Sequence, residues 1–493
     1  MLFNSFSFLI FLPIVLLVYY MLPIRIRWVW LLISSYYFYM SWNAAYALLL
    51  LFSTAVTWFG SLLMEKADGH AGLRKLALVF SFLINIGILA FYKYAGFLAE
   101  SINGLLTLSG TGMRIPRLDI LLPVGISFYV FQALGYTVDV YRNEIEAEKN
   151  FFRYALFVSF FPQLVAGPIE RSKNLLKQIN TPTTLSFENL KVGFLQILWG
   201  FFLKLVIADN ASVVIDTVFS DIHTYPGVYI VIATILFAFQ IYGDFGGYSL
   251  IAIGSARMLG FEIMRNFDSP YFSSGVAEFW RKWHISLSTW FRDYLYIPLG
   301  GNRKGPIRKN INLLIVFLVS GLWHGAAWHF VAWGALNGLY QVISNIKKYI
   351  GDKLAPENRL HSWDKSVSVK FCRIVGTFIL VDFAWLFFRA DSIKHAFEAI
   401  KSMVVVHNTW ILFDGSLFEL GLVDKQFRSL IVAIFILSAI DYLRYKKIDL
   451  IEIFMKQPFV IRAVLYTLLA MSALIFGHWA GGYDNSAFLY FQF

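Results

Sequence analysis

The sequence predicts an all-α, polytopic integral membrane protein, and two observations support that prediction. First, 58% of the 493 residues are hydrophobic and only 15% are charged, whereas soluble domains carry about 25% charged residues. Second, long apolar stretches recur along the chain, and the mean hydropathy is +0.62. Because lipid offers no hydrogen-bond partner to backbone amides, each stretch that crosses the bilayer must satisfy its own amides as a helix.

Twelve apolar stretches approach the roughly 20 residues that a helix needs to cross a bilayer core. They are residues 6–22, 28–42, 44–64, 76–94, 151–167, 190–208, 228–254, 311–323, 330–346, 371–388, 429–443 and 459–476. Several are shorter than a full span, so some should be re-entrant or strongly tilted. A further stretch, residues 121–141, is expected to break at Pro123, Gly125, Gly135 and Asp139. We therefore predict about 11 to 15 membrane and re-entrant helices.

No polar segment is long enough to fold as an independent soluble domain, so we predict a single membrane domain over residues 1–493. Within it, residues 265–310 have the strongest excess of Lys and Arg in the chain, which indicates a cytoplasmic or re-entrant segment. Residues 276–296 interleave basic and aromatic residues at helical spacing, which predicts one helix. On that helix, Trp280 and Arg281 would share a face with His284.

The formal net charge of +11 indicates contact with anionic lipid headgroups rather than with nucleic acid. In a chain this apolar, Lys and Arg anchor cytoplasmic loops, so we expect no nucleic-acid partner. The single cysteine, Cys372, excludes an intrachain disulfide and any multi-thiolate metal site. His324 and His329 would lie about 140° apart around a helix and would not share a face, so we expect no metal site. We also expect no bound cofactor.

His324 is the first catalytic candidate because it follows an apolar run, residues 311–322, with no charge nearer than Lys309. Ionisable groups inside membrane segments tend to mark function. An imidazole can take and return a proton near neutral pH, and acyl transfer to a hydroxyl needs such a base. Gly325, Ala326 and Ala327 should leave room for a thin substrate. The alternative is a packed, hydrogen-bonded core histidine, which burial preferences favour for His324 considered alone.

His284 is the second candidate, in a segment where Arg281 and Lys282 could bind phosphates of a coenzyme A thioester. The equally weighted alternative is an interfacial belt of aromatic and basic residues that only anchors the protein. Asp244 lies midway through an apolar stretch whose glycines permit a helix break or a close backbone approach. A buried structural partner is favoured for Asp244 over direct catalysis. Trp323 and Asp293 are further structural or tunnel-lining candidates.

Seven motifs in this chain resemble those of the membrane-bound O-acyltransferase family, in its bacterial alginate O-acetyltransferase branch. They are residues 122–128 (LPVGISF), 161–171 (FPQLVAGPIER), 242–248 (YGDFGGY), 279–288 (FWRKWHISLS), 292–303 (RDYLYIPLGGNR), 322–326 (LWHGA) and 490–493 (YFQF). They occur in the family's order, and the ordered set is far more specific than any one motif. The chain departs from the family pattern at Gly246, where Ser is frequent, and at Asn337, where His is frequent. We therefore assign no proton transfer to Asn337.

The resemblance implies that His324 is catalytic and that His284 is a second important residue. It implies a ring of tilted helices with the histidine in a central tunnel. It further implies acetyl transfer from a cytoplasmic donor, acetyl-CoA, toward an exported polysaccharide such as alginate, with a periplasmic acetyltransferase as partner. The location implied is the bacterial inner membrane.

Other functions stay open from the sequence. The same chemistry could act on peptidoglycan, cellulose or teichoic acid, the last with a D-alanyl carrier protein as donor. A secondary transporter would also have broken helices and intramembrane aspartates. That alternative predicts internal repeats, which the sequence does not display, and it leaves the aromatic-basic motifs unexplained.

Overall fold

The computed structural model describes residues 1–110, 113–116, 120–354 and 366–477. All regular secondary structure in these ranges is helical, which confirms the predicted all-α fold. The terminal motif at residues 490–493 lies outside the described residues.

The α-helices of the described residues are numbered in chain order. The first part of the chain forms α1 (Phe6–Met21), α2 (Arg27–Met40), α3 (Ala44–Lys66), α4 (Ala71–Leu89), α5 (Ala95–Leu108), α6 (Ile126–Tyr141), α7 (Phe151–Ser159), α8 (Phe161–Leu164), α9 (Ser172–Ile179), α10 (Phe187–Phe201) and α11 (Asp209–Ser220). The second part forms α12 (Val228–Met258), α13 (Val276–Lys282), α14 (Ile285–Phe291), α15 (Gly305–His324), α16 (Trp328–Leu354), α17 (Val367–Arg389), α18 (Ile393–Val405), α19 (Asp424–Tyr445), α20 (Leu450–Met455) and α21 (Phe459–Phe476). Segments of π-helix lie at Ala90–Tyr94, Phe202–Ala208 and Arg292–Tyr296.

Seven helical segments of the described residues are long and apolar enough to cross a membrane. They are Ala44–Lys66, Ala71–Leu108, Phe187–Ser220, Val228–Met258, Val367–Arg389, Asp424–Tyr445 and Phe459–Phe476. The other stretches predicted as spans form helices that are shorter or less apolar. The protein is therefore a multi-pass membrane protein.

The stretch predicted to break repeatedly at residues 121–141 contains one uninterrupted helix. Gly125 adopts a left-handed conformation with φ 75°, and α6 then continues through Gly135 and Asp139. The prediction of breaks at these two positions is wrong, because a single glycine is tolerated in a helix that is packed on all sides. The Asp139 carboxylate accepts a hydrogen bond from Ser172 Oγ at 2.7 Å.

The described residues divide into two compact units. The first comprises Met1–Ile197 and Ile251–Met264. Its helices are joined by buried polar contacts: Ser53 Oγ of α3 donates to Asn85 Oδ1 of α4 at 2.5 Å, and the Tyr154 hydroxyl of α7 donates to Thr57 Oγ1 at 2.8 Å. Such interhelical hydrogen bonds stabilise helix pairs where lipid supplies no competing partner.

The second unit comprises Leu198–Leu250 and the described residues from Arg265 onward, and it contains both candidate histidines. Residues 228–250 of α12 belong to this unit, and the helix runs unbroken through Gly243, Gly246 and Gly247. Of the two alternatives left open for these glycines, a helix break or a close backbone approach, the structure has the close approach. A Cβ atom on Gly247 would lie 2.6 Å from the carbonyl oxygen of Gly200. The single domain proposed over residues 1–493 stays a prediction.

Candidate active site

His284 lies at a sharp break between two short helices. α13 ends before Trp283, which is extended, and His284 itself is left-handed with φ 44° and ψ 54°. The prediction of one helix over residues 276–296, with Trp280 and Arg281 on the His284 face, is therefore wrong. Helical spacing of aromatic and basic residues carries no signal for one left-handed residue, a conformation that histidine adopts more readily than most side chains.

His324 is the last residue of α15, and the chain leaves the helix at Gly325 with φ −159° and ψ 147°. Its side chain is 5% exposed. The imidazole is therefore enclosed by the protein.

The two histidines lie side by side, although they are 40 positions apart in the sequence. Their ring centroids are 6.3 Å apart. The Trp323 ring packs against both, with centroids 5.0 Å from His324 and 5.9 Å from His284. Other rings within 5.4 Å of one or the other histidine belong to Trp333, Phe388 and Phe245. Polar interactions are stronger in such an aromatic, low-dielectric surrounding than in water.

His284 lies outside the seven membrane-crossing segments and is 1% exposed. Burial lowers its pKa to about 3, because the imidazolium would lose its hydration. Its place directly before the N-terminus of α14 also disfavours a positive charge. His284 is therefore neutral at physiological pH and can orient a neighbour by hydrogen bonding.

The space expected beside His324 is filled by a side chain. A Cβ atom added to Gly325 would collide with the Phe330 ring. The expectation that Gly325 leaves room for substrate is therefore wrong: the missing side chain makes room for an aromatic ring of the next helix. Glycines also allow α15 and α16 to pack closely, since a Cβ on Gly321 or Gly334 would collide with backbone of the partner helix.

A cavity of about 540 Å³ lies along α13, α14 and α15. Three cationic side chains line it, Arg281, Arg292 and Lys309, amid mostly apolar neighbours. The lining also includes Ser320, one helical turn before His324. A cavity of this size, with a few cationic groups on apolar walls, is typical of small-molecule and cofactor sites.

The structure separates the two basic residues that the sequence grouped as donor-binding. Arg281 lines the cavity, whereas Lys282 Nζ lies 2.7 Å from Glu278 Oε1 and over the Tyr445 ring, 5.1 Å from its centroid. Lys309, which lines the cavity and donates to Asn345 Oδ1 at 2.9 Å, was missed. The sequence marked Lys309 only as one charge in a basic segment.

Asp244 belongs to a buried ion cluster. Lys204 Nζ lies 2.6 Å from Asp244 Oδ1 and 2.8 Å from Asp209 Oδ1, and all three residues are at most 6% exposed. Lys204 lies within the π-helical segment Phe202–Ala208. The structural partner anticipated for Asp244 is therefore Lys204, which hydropathy alone hides inside an apolar stretch.

Of the remaining residues that the sequence singled out, one packs against the two histidines and the others lie apart from them. Trp323 is buried against both histidines. Asp293 is partly exposed and pairs with its neighbour, Arg292 Nε to Asp293 Oδ1 at 2.7 Å. His329 Nδ1 lies 3.1 Å from the carbonyl oxygen of Phe387. Among the described residues, no three His, Cys, Asp or Glu side chains are grouped so that they could hold a metal ion.

Comparisons with known proteins identify relatives over most of the chain. The family model described as MBOAT, membrane-bound O-acyltransferase, matches residues 142–348. The protein named probable alginate O-acetylase AlgI of Pseudomonas aeruginosa is 37% identical over 437 residues, 88% of this chain and 80% of that protein. Peptidoglycan O-acetyltransferase of Helicobacter pylori is 32% identical over 436 residues, 82% of this chain and 80% of that protein. Teichoic acid D-alanyltransferase of Bacillus subtilis is 27% identical over 292 residues, 55% and 70% of the two chains.

These similarities agree with the ordered motifs, and an acyltransferase accounts for them where a secondary transporter does not. The chain belongs to the membrane-bound O-acyltransferase family and is a multi-pass membrane O-acyltransferase.

Proposed function

We propose that this enzyme takes acetyl groups from cytoplasmic acetyl-CoA and passes them toward an exported polysaccharide, alginate, in the bacterial inner membrane. The observation that supports this most directly is the pairing of His284 and His324 inside a buried aromatic surrounding, with centroids 6.3 Å apart. At this separation, both imidazoles can act on one reacting group.

His324 acts as the general base. It takes the proton of the acceptor hydroxyl while that oxygen attacks the thioester carbonyl. The carbon–sulfur bond breaks, and the leaving thiolate receives the proton from His324, so the enzyme returns to its starting state. Neutral His284 orients the acceptor or the carbonyl by hydrogen bonding. A transient acetyl group on His324 is the alternative route, and trapping of acetylated enzyme in the absence of acceptor would reveal it.

The cavity beside α13 holds the donor in this proposal. Coenzyme A carries phosphates that attract guanidinium and ammonium groups. Arg281, Arg292 and Lys309 supply these charges, while the apolar walls suit the thin pantetheine arm. Lys282 contributes less, because it does not line the cavity.

The acceptor and the partner are inferred from the relatives. The identity of 37% to a probable alginate O-acetylase exceeds the 32% to a peptidoglycan O-acetyltransferase, which favours alginate. The acetyl group would reach the polymer through a periplasmic acetyltransferase partner. Peptidoglycan, cellulose and teichoic acid are the alternative acceptors. Measuring the acetyl content of the first two polymers and the D-alanyl content of the third would identify which of them the enzyme modifies.

The test is acetyl transfer by purified enzyme in liposomes, with labelled acetyl-CoA and the periplasmic partner as acceptor. We expect His324→Ala to abolish transfer at unchanged protein level. His329→Gln is the matched control, since it replaces a buried histidine five positions away and should keep activity. Retained transfer in His324→Ala would refute the assignment. Alginate from bacteria that carry these variants should follow the same pattern: its acetyl content should be lost with His324→Ala and kept with His329→Gln.

A further inference from the structure

We propose that Asn266 is a positioning residue that holds His284 in its left-handed conformation and thereby places the His284 imidazole beside His324. The proposal rests on acyl transfer at the histidine pair. Asn266 lies in the connection between α12 and α13, 18 positions before His284, and belongs to none of the motifs named above.

Asn266 makes three hydrogen bonds, two to the residues that follow the break and one to α12. Its backbone carbonyl accepts from the Ile285 N–H at 2.9 Å. Its side-chain oxygen accepts from Ser286 Oγ at 2.6 Å, and its side-chain amide donates to Ser249 Oγ at 2.9 Å. The side chain is thus anchored to α12 on one side and to the first turn of α14 on the other.

A fourth hydrogen bond, made by Asp268, holds the chain just before the break. The Asp268 N–H donates to the carbonyl oxygen of Lys282 at 3.0 Å. Residues 266 and 268 therefore hold the chain immediately before and after the two residues that leave the helix. Without such bonds, the carbonyl of Lys282 and the amide of Ile285 would lack partners at a buried helix end.

The left-handed backbone at His284 needs support of this kind. A non-glycine residue in this region is disfavoured and persists only where the surrounding structure imposes it. Asn266, Ser249 and Ser286 are all at most 2% exposed, so water does not compete for their hydrogen bonds. If residues 282–286 relaxed toward a continuous helix, the His284 ring would turn away from Trp323 and His324.

The same anchor fixes the ring from a second direction. Ser249 belongs to α12, and Phe245 of α12 packs its ring 4.6 Å from the His284 ring. Asn266 therefore holds the break at a fixed position against α12, the helix that also carries Asp244. It acts on turnover through the position of His284 and not through contact with substrate.

A double-mutant cycle in liposomes with labelled acetyl-CoA tests this inference. Asn266→Ala should lower kcat about 10- to 100-fold, since small misplacements of reacting groups have effects of this size. The KM for acetyl-CoA should stay unchanged. In a His284→Gln background, Asn266→Ala should lower the remaining rate less than about twofold, because the group it positions is already lost.

Controls separate positioning from folding. Asn85→Ala removes another buried asparagine, which accepts from Ser53 in the first unit, and should leave kcat per folded protein unchanged. If Asn266→Ala does not yield folded protein, Ser286→Ala removes one of the same hydrogen bonds and should show a smaller loss of kcat. If His284→Gln leaves no measurable rate, a structure of Asn266→Ala decides, with φ at residue 284 expected to leave the left-handed region.

Additive losses in the cycle would overturn the proposal, as would an unchanged kcat per folded Asn266→Ala protein. So would a structure in which His284 keeps its left-handed backbone although activity is lost. Absence of acetyl transfer by the unmodified enzyme would instead refute the proposed function, and the two failures are therefore distinguishable.

Discussion

Replacement of Lys204 by methionine removes the one positive charge identified in the cluster with Asp209 and Asp244. The ammonium lies 2.6 and 2.8 Å from the two carboxylates, and all three side chains are buried in membrane-crossing helices. Breaking a buried ion pair by removal of one partner lowers the free energy of unfolding by about 3–5 kcal/mol. Since the entropy of unfolding is about 2.1 cal/mol/K per residue, each kcal/mol shifts the melting temperature of a chain of 493 residues by about 1 °C, and a decrease of about 3–5 °C is expected.

The assay is thermal unfolding of the detergent-solubilised protein. The quantity measured is the fraction of protein that remains monodisperse after heating to each temperature. The matched variant is the triple substitution Lys204→Met, Asp209→Asn and Asp244→Asn, which removes all three charges. It should recover most of the lost melting temperature, because no charge is left uncompensated. Equal melting temperatures for Lys204→Met and the unmodified protein would refute the assignment of a buried, charged cluster. Failure of the triple variant alone would show that the hydrogen bonds matter more than the charges.

Three further predictions concern the site and its helices. Gly334→Val should separate α15 from α16 and lower both stability and turnover, since its Cβ would collide with backbone at Phe317; an unchanged melting temperature would contradict this close packing. Arg281→Ala should raise the KM for acetyl-CoA about tenfold through the loss of one phosphate contact, whereas Lys282→Ala should change it little; steady-state kinetics distinguish them, and the reverse order would be inconsistent with the cavity. His284→Gln should reduce the loss of thermal stability between pH 7 and pH 4. The His284 pKa is lowered in the folded state to about 3, so acid below the unfolded pKa of about 6.5 protonates the unfolded chain preferentially and destabilises the fold. Identical pH profiles for the variant and the unmodified protein would oppose a buried, neutral His284.

The membrane fold could be predicted from the sequence, and the two candidate histidines could be selected from it, because both rest on local information. Apolar stretches near 20 residues require helices in lipid wherever they occur, independent of their partners. His324 was selected from the uncharged run before it and from the ordered motifs, and its catalytic role stays a prediction. The cytoplasmic or re-entrant placement of residues 265–310 also stays a prediction.

Local signals misplaced features that depend on distant contacts. The helix predicted over residues 276–296 breaks at His284, where bonds from Asn266 and Asp268 offset an unfavourable backbone conformation. The gap expected at Gly325 is filled by the ring of Phe330, only five positions later. Here the turn between α15 and α16, which hydropathy does not describe, brings the ring back onto the glycine.

The sequence by itself determined the fold class, the family and the residue types available for acyl transfer, since these follow from hydropathy and motif order. Only the tertiary structure decided which groups meet: His284 with His324, Lys204 with Asp244, and Arg281 rather than Lys282 with the cavity. The physical reason is that the periodicity of apolar residues shows only which face of a single helix is apolar and which is polar. Pairing between helices depends on close approach at glycines and on buried hydrogen bonds, which involve positions far apart in the chain.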